Sequence, residues 1–529
     1  MNRFQQLRGT TFDLIIIGGG IIGAGIARDA ALRGLKVALF EKNDFGSGTT
    51  SRSTRIIHGG LRYLEMFDFR LVRMDLRERE ILLRIAPHLV KPLDFLLPFY
   101  ESSLFYRTKM KAGMMLYDML SYDKSLPNHR LLGPAEVETL EPHLKQEGLR
   151  GAVLYSDAQV DSPERLCLEN IIDARQHDAC TLNDAEVTRA LRSAETVEGV
   201  AVRDLLSGEE LEVKGRVVVN ATGPWFDRMA GVLTSDTQNR VRTTKGIHLI
   251  CPSLSQRALV LFSGVDKRLF FVIPWCGHSL IGTTDTDFHE DPAQARATGT
   301  DVKYLLESLE EFFPHGDSQI YFSSAGVRAL VMKGGSESSV SRLHQVIDGE
   351  QINAPGLVSV LGGKITAYRA IAEEVTDLVC NKLNVNLPCE TANLPLPGAQ
   401  GIRSASVHSS MTQAVIEHLY SLYGSRADEV LHLGESDPEL QRALVRYSRD
   451  TAAQVVFAVR EEQCLHLNDF LLRRSLLGFT RDQGGQAVEK AVFYMARELS
   501  WSKDQIAAEV ERYERHRART QKFRDELPK

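Results

Sequence analysis

The stretch Asp13-Leu-Ile-Ile-Ile-Gly-Gly-Gly-Ile-Ile-Gly23 decides the fold. Asp13 to Ile17 is a short, mostly β-branched run, as a strand buried on both faces requires. Gly18-x-Gly20-x-x-Gly23 follows, then helix formers from Ala24 to Arg33, with Gly34 as a stop signal. Lys36 to Glu41 reads as the next strand, and its closing acid stands about 20 residues after Gly20. This is a βαβ unit, expected to be right-handed and built to hold a dinucleotide. The first glycine allows the tight turn, the second admits a pyrophosphate to the backbone, and the third lets helix and strand pack closely. The helix start offers unpaired N–H groups to phosphate. Glu41 accepts ribose hydroxyls and repels a 2′-phosphate, with Lys42 as a solvated charge or adenine neighbour.

Further along the chain, Asn43 to Ser53 is a loop rich in Gly, Ser and Thr that includes Ser51 and Ser53. Val217-Val-Val-Asn-Ala-Thr-Gly223 ends a strand in small residues, Ala221, Thr222 and Gly223, that permit close approach. Gly362-Gly363-Lys364-Ile-Thr366 joins a strand to the helix-prone stretch from Ala367 to Lys382. A helix start and a lysine aimed at an electron-rich acceptor suit the N1/C2=O edge of a reduced flavin. The cofactor expected is FAD rather than a nicotinamide. Its candidate contacts are Gly18, Gly20, Ile22, Gly23, Glu41, Lys42, Ser51, Ser53, His58, Gly59, Ala221, Thr222, Gly223, Gly363, Lys364 and Thr366.

The whole chain has 529 residues and a formal net charge of −6. Hydrophobic residues make up 43%, enough for large cores, and the mild acidity argues against nucleic acid, whose binding needs clustered cations. Seven scattered cysteines form neither a C-x-x-C pair nor a Cys/His cluster, so no disulfide framework or metal site is expected and a reducing compartment is. No signal peptide is read at the start, and no apolar run approaches the ~20 residues of a spanning helix. The chain is expected to be soluble or peripherally attached.

Seven stretches carry a resemblance. They are Ile16–Gly23, Ser53-Thr-Arg-Ile-Ile-His-Gly-Gly-Leu-Arg-Tyr-Leu64, Asn220-Ala-Thr-Gly-Pro-Trp225, Lys245-Gly-Ile-His248, Ile281-Gly-Thr-Thr-Asp285, Gly326-Val-Arg328 and Gly362–Thr366. Over nearly its whole length the chain resembles the aerobic, FAD-dependent glycerol-3-phosphate dehydrogenase family. His-Gly-Gly-Leu-Arg-Tyr-Leu is its most specific run. Two departures stand out: Ala329 follows Arg328 where the family usually has proline, and Leu343 follows Arg342 where many members are acidic.

The resemblance implies an α/β flavoprotein with a Rossmann-like FAD domain of the amino-acid-oxidase type, an antiparallel-sheet substrate cap and a helical C-terminal domain. The flavoprotein region is placed at 10–390. Within it the FAD domain is discontinuous (about 10–95, 150–230 and 325–390) and the cap covers about 96–149 and 231–324; the helical domain is placed at 400–520. The resemblance further implies oxidation of sn-glycerol 3-phosphate to dihydroxyacetone phosphate, with electrons passed to membrane quinone. It places the chain in the cytoplasm, peripherally on the inner face of the cytoplasmic membrane, with a homodimer as one possible assembly.

Such chemistry needs a base near neutral pH, best matched by histidine, and cations for a phosphate dianion, best matched by arginine. His58 and His248 are the candidate bases, with His248 favoured. Arg62, Arg328, Arg342 and Lys364 are the phosphate candidates, Lys364 serving either substrate or flavin. Tyr63 hydrogen-bonds substrate or packs as core; Thr284 and Asp285 orient His248 or close a turn. Leu104 to Leu120, with Arg107, Lys109 and Lys111, suits either an interfacial membrane segment or an ordinary core-facing helix. The stretch 460–475 reads as bundle packing. The rival readings are a soluble oxidase that uses oxygen, a non-catalytic FAD-binding redox-responsive protein, and an amine or amino-acid oxidase, against which the surplus of cations argues.

Overall fold

The computed structural model describes residues 3–65, 67–100, 104–234, 238–314, 319–333, 336–341, 343–401, 411–446 and 448–527. Strand Thr11–Ile17, helix Ile21–Leu32 and strand Val37–Phe40 form the expected βαβ unit, with Leu14 paired to Val37 and Ile17 to Phe40 in parallel. Its apolar run is buried throughout: Leu14, Ile15 and Ile16 are fully covered. Each such side chain contributes roughly 1.5–3 kcal/mol relative to exposure.

These strands sit inside an eight-stranded sheet. Its main path runs Gln345–Asp348, Leu357–Leu361, Glu210–Asn220, Thr11–Ile17, Val37–Phe40 and Cys180–Leu182. All neighbours on that path are parallel except the first pair. Two antiparallel strands, Ala185–Ser193 and Thr196–Asp204, join at Glu210–Asn220. Helices Ile21–Leu32, Pro163–Gln176 and Tyr368–Leu383 cover one face, meeting it in a core that includes Ala27, Ile171, Tyr368 and Ile371. The second face closes over Phe4, Leu7, Phe12, Val200 and Leu233.

A second, eleven-stranded sheet carries the strands Val241–Pro252, Leu269–Trp275, His278–Gly282 and Phe322–Lys333. It is antiparallel apart from the pairing of Ala258–Phe262 with Val90–Phe99. Strand Gly151–Val160, expected in the FAD region, instead pairs along its length with Val90–Phe99 in this sheet. Strand Phe322–Lys333 does the same with Val241–Pro252. Helices Phe69–Ile85 and Leu104–Leu120 pack on one side of this sheet, and Gly299–Glu310 on the other.

After Pro397 the chain becomes helical. Gln413–Tyr423, Ala427–Ser436, Ala452–Glu461, Val488–Leu499 and Lys503–Gln521 enclose a separate core around Val455, Phe457, Leu471 and Tyr513. Among the described residues no helix is long and apolar enough to cross a membrane.

Candidate functional site

A cavity of about 1970 Å³ runs between the two sheets. Ordinary small-molecule pockets measure about 300–1,000 Å³, so this one has room for a dinucleotide and a substrate together.

One end is made of backbone. Gly18 has φ +106°, and a Cβ there would lie 2.7 Å from the Ala221 carbonyl oxygen. Gly20 caps the helix and faces open space, where a Cβ would meet only Thr50 Oγ1 at 3.6 Å. The bare backbone thus leaves the cavity clear for a bound phosphate, and the Thr50 hydroxyl accepts the Ile21 N–H at 3.1 Å, fixing the first helical turn. A Cβ on Gly23 would stand 1.9 Å from the Gly18 carbonyl oxygen, so Gly23 serves helix–strand packing and does not line the cavity. Glu41 accepts N–H bonds from Gly19 at 2.7 Å and Asn43 at 2.9 Å, and its carboxylate borders the cavity. Burial raises its pKa, with those two backbone bonds opposing. Lys42 lies over the Trp225 ring, 4.7 Å from the centroid, while Asn220 accepts from the Thr222 hydroxyl at 2.7 Å and shapes the Ala221–Gly223 turn. Ile22, Lys42, Ser53, Ala221, Thr222, Gly223, Gly363 and Thr366 all line this space. The bare glycine turn, the buried acid and the length of the cleft fit FAD.

The other end is made of charged side chains. His248 pairs in register with Gly282 and Ser324, and its Nε2 lies 3.1 Å from Thr54 Oγ1. A Cβ at Gly282 would approach the imidazole to 2.5 Å, so the glycine makes room for the ring. Burial drives the His248 pKa down to about 3, helped by Arg328 and Arg55. The His58 pKa is about 4, lowered by burial and by Lys364 and Arg79 against the pull of Asp157. Both imidazoles are therefore neutral near pH 7.

Arg328 spans the cavity wall over Gly246, where a Cβ would strike its guanidinium at 2.4 Å. It donates to the Thr283 hydroxyl at 2.8 Å and pairs with Asp285 at 3.2 Å. Thr284 accepts the Ile247 N–H at 3.1 Å, so Thr284 and Asp285 close the turn and hold Arg328; the hydroxyl that meets His248 Nε2 is that of Thr54. Lys364 Nζ lies 2.7 Å from Asp75 Oδ2 and 3.8 Å from the Tyr63 ring centroid. Asp75 is fully buried with its Oδ1 unpartnered, and burial raises its pKa to about 6 despite the lysine.

His58, His248, Arg328, Lys364 and Tyr63 line the same cavity as the cofactor candidates, with His58 and Lys364 adjoining Thr366 and Gly363 of the cofactor set. Three of the expected cofactor contacts lie off the cavity, Gly23 among them. Gly59 turns away from the cavity: a Cβ would lie 2.4 Å from Leu76 and 2.5 Å from the Tyr117 hydroxyl, which accepts the Gly59 N–H. The Ser51 hydroxyl is taken by the Gly46 carbonyl and borders a smaller neighbouring pocket instead. Arg342 and the side chain of Arg62 lie outside the described residues. Sequence reasoning missed Asp75 and Thr54. Asp75 lies in a charged helical stretch whose periodicity alone marks a solvated face, and its partner is 289 positions away.

Two family models match. Residues 13–378 match "FAD dependent oxidoreductase", and residues 389–506 match "C-terminal domain of alpha-glycerophosphate oxidase". The chain is 39% identical to the glycerol-3-phosphate dehydrogenase of Synechocystis sp., over 97% of both chains. It is 32% identical to the aerobic glycerol-3-phosphate dehydrogenase of Staphylococcus haemolyticus, over 95% of this chain and 93% of that one. Among solved structures, glycerol-3-phosphate dehydrogenase from Bacillus halodurans, complexed with FAD, superposes with TM-score 0.81 at 28% identity, covering 98% of this chain and 97% of that one. Glycine oxidase from Geobacillus kaustophilus shares the fold at TM-score 0.53 and 22% identity, covering 74% of this chain and 99% of that one. With a dinucleotide cleft of this shape and likeness at this level over its full length, the chain belongs to the FAD-dependent glycerol-3-phosphate dehydrogenase family.

Proposed function

We propose that this chain oxidises sn-glycerol 3-phosphate to dihydroxyacetone phosphate, with membrane quinone as the final electron acceptor. The observation that carries the reading is the meeting of two neutral imidazoles with Arg328 and Lys364 at the far end of the cofactor cleft. FAD, when bound, supplies the hydride acceptor at N5; Gly18, Gly20, Glu41, Ala221, Thr222, Gly363 and Thr366 hold it. Arg328 and Lys364 bind the phosphate, joined by Arg62 and Arg342, and Tyr63 buttresses Lys364. Asp75 and Asp285 occupy the two cations until the dianion arrives.

His248 receives the substrate's hydroxyl proton on Nε2, where the Thr54 hydroxyl now sits. A dianion bound beside the ring offsets the repulsion of Arg328 and favours the imidazolium, lifting its pKa from about 3 toward the working range. His58 orients the substrate from the opposite wall, its backbone N–H held by the Thr366 hydroxyl at 3.3 Å.

A peripheral membrane site supports quinone as acceptor. Phe67, Met115, Met119 and Tyr122 are exposed large apolar side chains around helix Leu104–Leu120, and Lys109 and Lys111 are exposed on the same helix. Leu61, Leu64, Phe67, Met110 and Leu116 carry this apolar character into the cavity wall. Cations at head-group depth beside apolar anchors suit an interfacial contact. These features support a position on the inner face of the cytoplasmic membrane, with a homodimer as one possible assembly. An oxygen-using oxidase is the second reading, favoured by the description of the C-terminal family model.

Anaerobic mixing of the yellow protein with glycerol 3-phosphate, followed at about 450 nm, tests both. Bleaching by the phosphate but not by glycerol, then fast reoxidation by quinone and slow by air, is expected. Fast reoxidation by air supports the oxidase. No bleaching overturns the substrate.

A further inference from the structure

Behind the cofactor loop lies a second, smaller pocket with an unbalanced charge. It is bordered by Ser47 and Arg52 of the loop, by Ser323 of strand Phe322–Lys333, and by Arg473, His516 and Arg519 of the helical domain. Its volume is about 80 Å³, close to that of one small oxyanion.

The charge balance there can be followed residue by residue. Arg473 is neutralised by Asp44 and Asp469, at 2.5 and 2.6 Å. Arg296, which also borders the pocket, pairs with Glu526 at 2.6 Å. Arg52 and Arg519 have only backbone carbonyls as hydrogen-bond partners: Ala325 for Arg52, and Ala293 and Ala295 for Arg519. Among the described residues neither makes an ion pair. A Cβ on Gly326 would lie 2.7 Å from Arg52 Cβ, so this glycine lets the arginine seat against the strand. Isolation has its usual signature: burial, then Arg519 and Arg473, lower the Arg52 pKa to about 10. Burial and the same cations hold His516 neutral, with a pKa of about 3.

Two guanidiniums without carboxylates, bordering one half-open volume with serine hydroxyls, are a recognition set for a tetrahedral oxyanion, and Arg52 lies where this pocket adjoins the large cavity. We propose that Arg52 and Arg519 form a binding site for a phosphate-class oxyanion, distinct from the substrate end of the cavity, at the junction of the cofactor loop and the helical domain. The bound anion ties helix Lys503–Gln521 to the 47–53 loop, whose Thr50 caps the cofactor helix. Ligation there stabilises the assembled holoenzyme.

The substrate-phosphate cations also attract phosphate, and the FAD pyrophosphate competes with it for cations beside the cofactor loop; the test separates these effects. FAD-loaded protein is titrated with inorganic phosphate at constant ionic strength, reading calorimetric binding and thermal midpoint. Wild type is expected to show saturable binding and a midpoint rise of about 2 °C or more. Arg328→Gln is expected to keep the binding. Arg519→Gln and Arg52→Gln are expected to weaken it about tenfold or more, with Arg519→Lys falling between. The FAD content of Arg519→Gln should equal that of wild type. The proposal is overturned by absence of binding in wild type, by binding that survives in Arg519→Gln but is lost in Arg328→Gln, or by loss of FAD from Arg519→Gln. If Arg519→Gln fails to fold, the charge-keeping Arg519→Lys decides: undiminished binding there, with no response in Arg52→Gln either, overturns it.

Discussion

The two ends of the large cavity are built from different materials. At Gly18–Gly23 the wall is backbone: glycines, a helix start and one acid held by two peptide N–H groups. At His248, Arg328 and Lys364 the wall is side chains, and each cation is already paired with a carboxylate. A backbone wall is rigid and fails by steric collision, so its loss removes the cofactor. A side-chain wall can exchange partners, so its loss degrades catalysis and leaves the cofactor in place.

The sharpest break of this contrast is Gly23→Ala. Its new methyl meets the Gly18 carbonyl at 1.9 Å, a clash with backbone that no rotamer relieves. We expect destabilisation of about 3 kcal/mol and protein that purifies without flavin colour, measured by thermal unfolding and flavin absorbance. At the other end, His248→Gln should keep full FAD content and lose about a thousandfold in kcat with KM little changed, the pattern of a lost proton acceptor. Arg328→Ala should lose about a hundredfold in kcat/KM, with KM for the phosphate taking most of it; glycerol should react equally poorly with mutant and wild type.

The smallest effect sharpens the comparison through pH. The His58 and His248 pKa values are about 4 and about 3, against 6.5 unfolded. The unfolded chain therefore takes up protons first, and stability falls as pH drops from about 6.5 toward 4. His248→Gln, which lacks one of these sites, should lose a few degrees less of thermal midpoint between pH 7 and pH 5 than wild type. A slope equal to wild type would show that His248 is not buried in its neutral form.

The same contrast explains what could be read from the chain. The βαβ part of the cofactor end lies within about 30 contiguous residues, where glycine spacing and strand periodicity speak directly. Strand Leu357–Leu361 and the turn after it were legible for the same reason, as local pattern ending in Gly362-Gly363. The far end depends on pairs distant in sequence. Thr54 meets His248 across 194 positions, and Asp75 meets Lys364 across 289. Nothing local distinguishes Asp75 from the exposed charges of its own helix, because its burial is imposed by strands that arrive later. Gly59 misled in the opposite way: it was expected to contact the cofactor, but its missing side chain is needed by Leu76 and Tyr117.

The order of strands in the first sheet also has a consequence for synthesis. Strand Thr11–Ile17 leaves the ribosome first, yet one parallel neighbour is Glu210–Asn220, and that strand's outer neighbour is Leu357–Leu361. At about 5–20 residues per second, the sheet waits roughly 20–70 s for its last parallel strand. For roughly the first 10–40 s of that interval an Ile-rich strand meant for burial on both faces has an open edge, and after it the open edge is that of Glu210–Asn220. A nascent chain of this design is a client for chaperones well before it can hold its cofactor, and translation speed between residues 40 and 360 becomes a determinant of its yield.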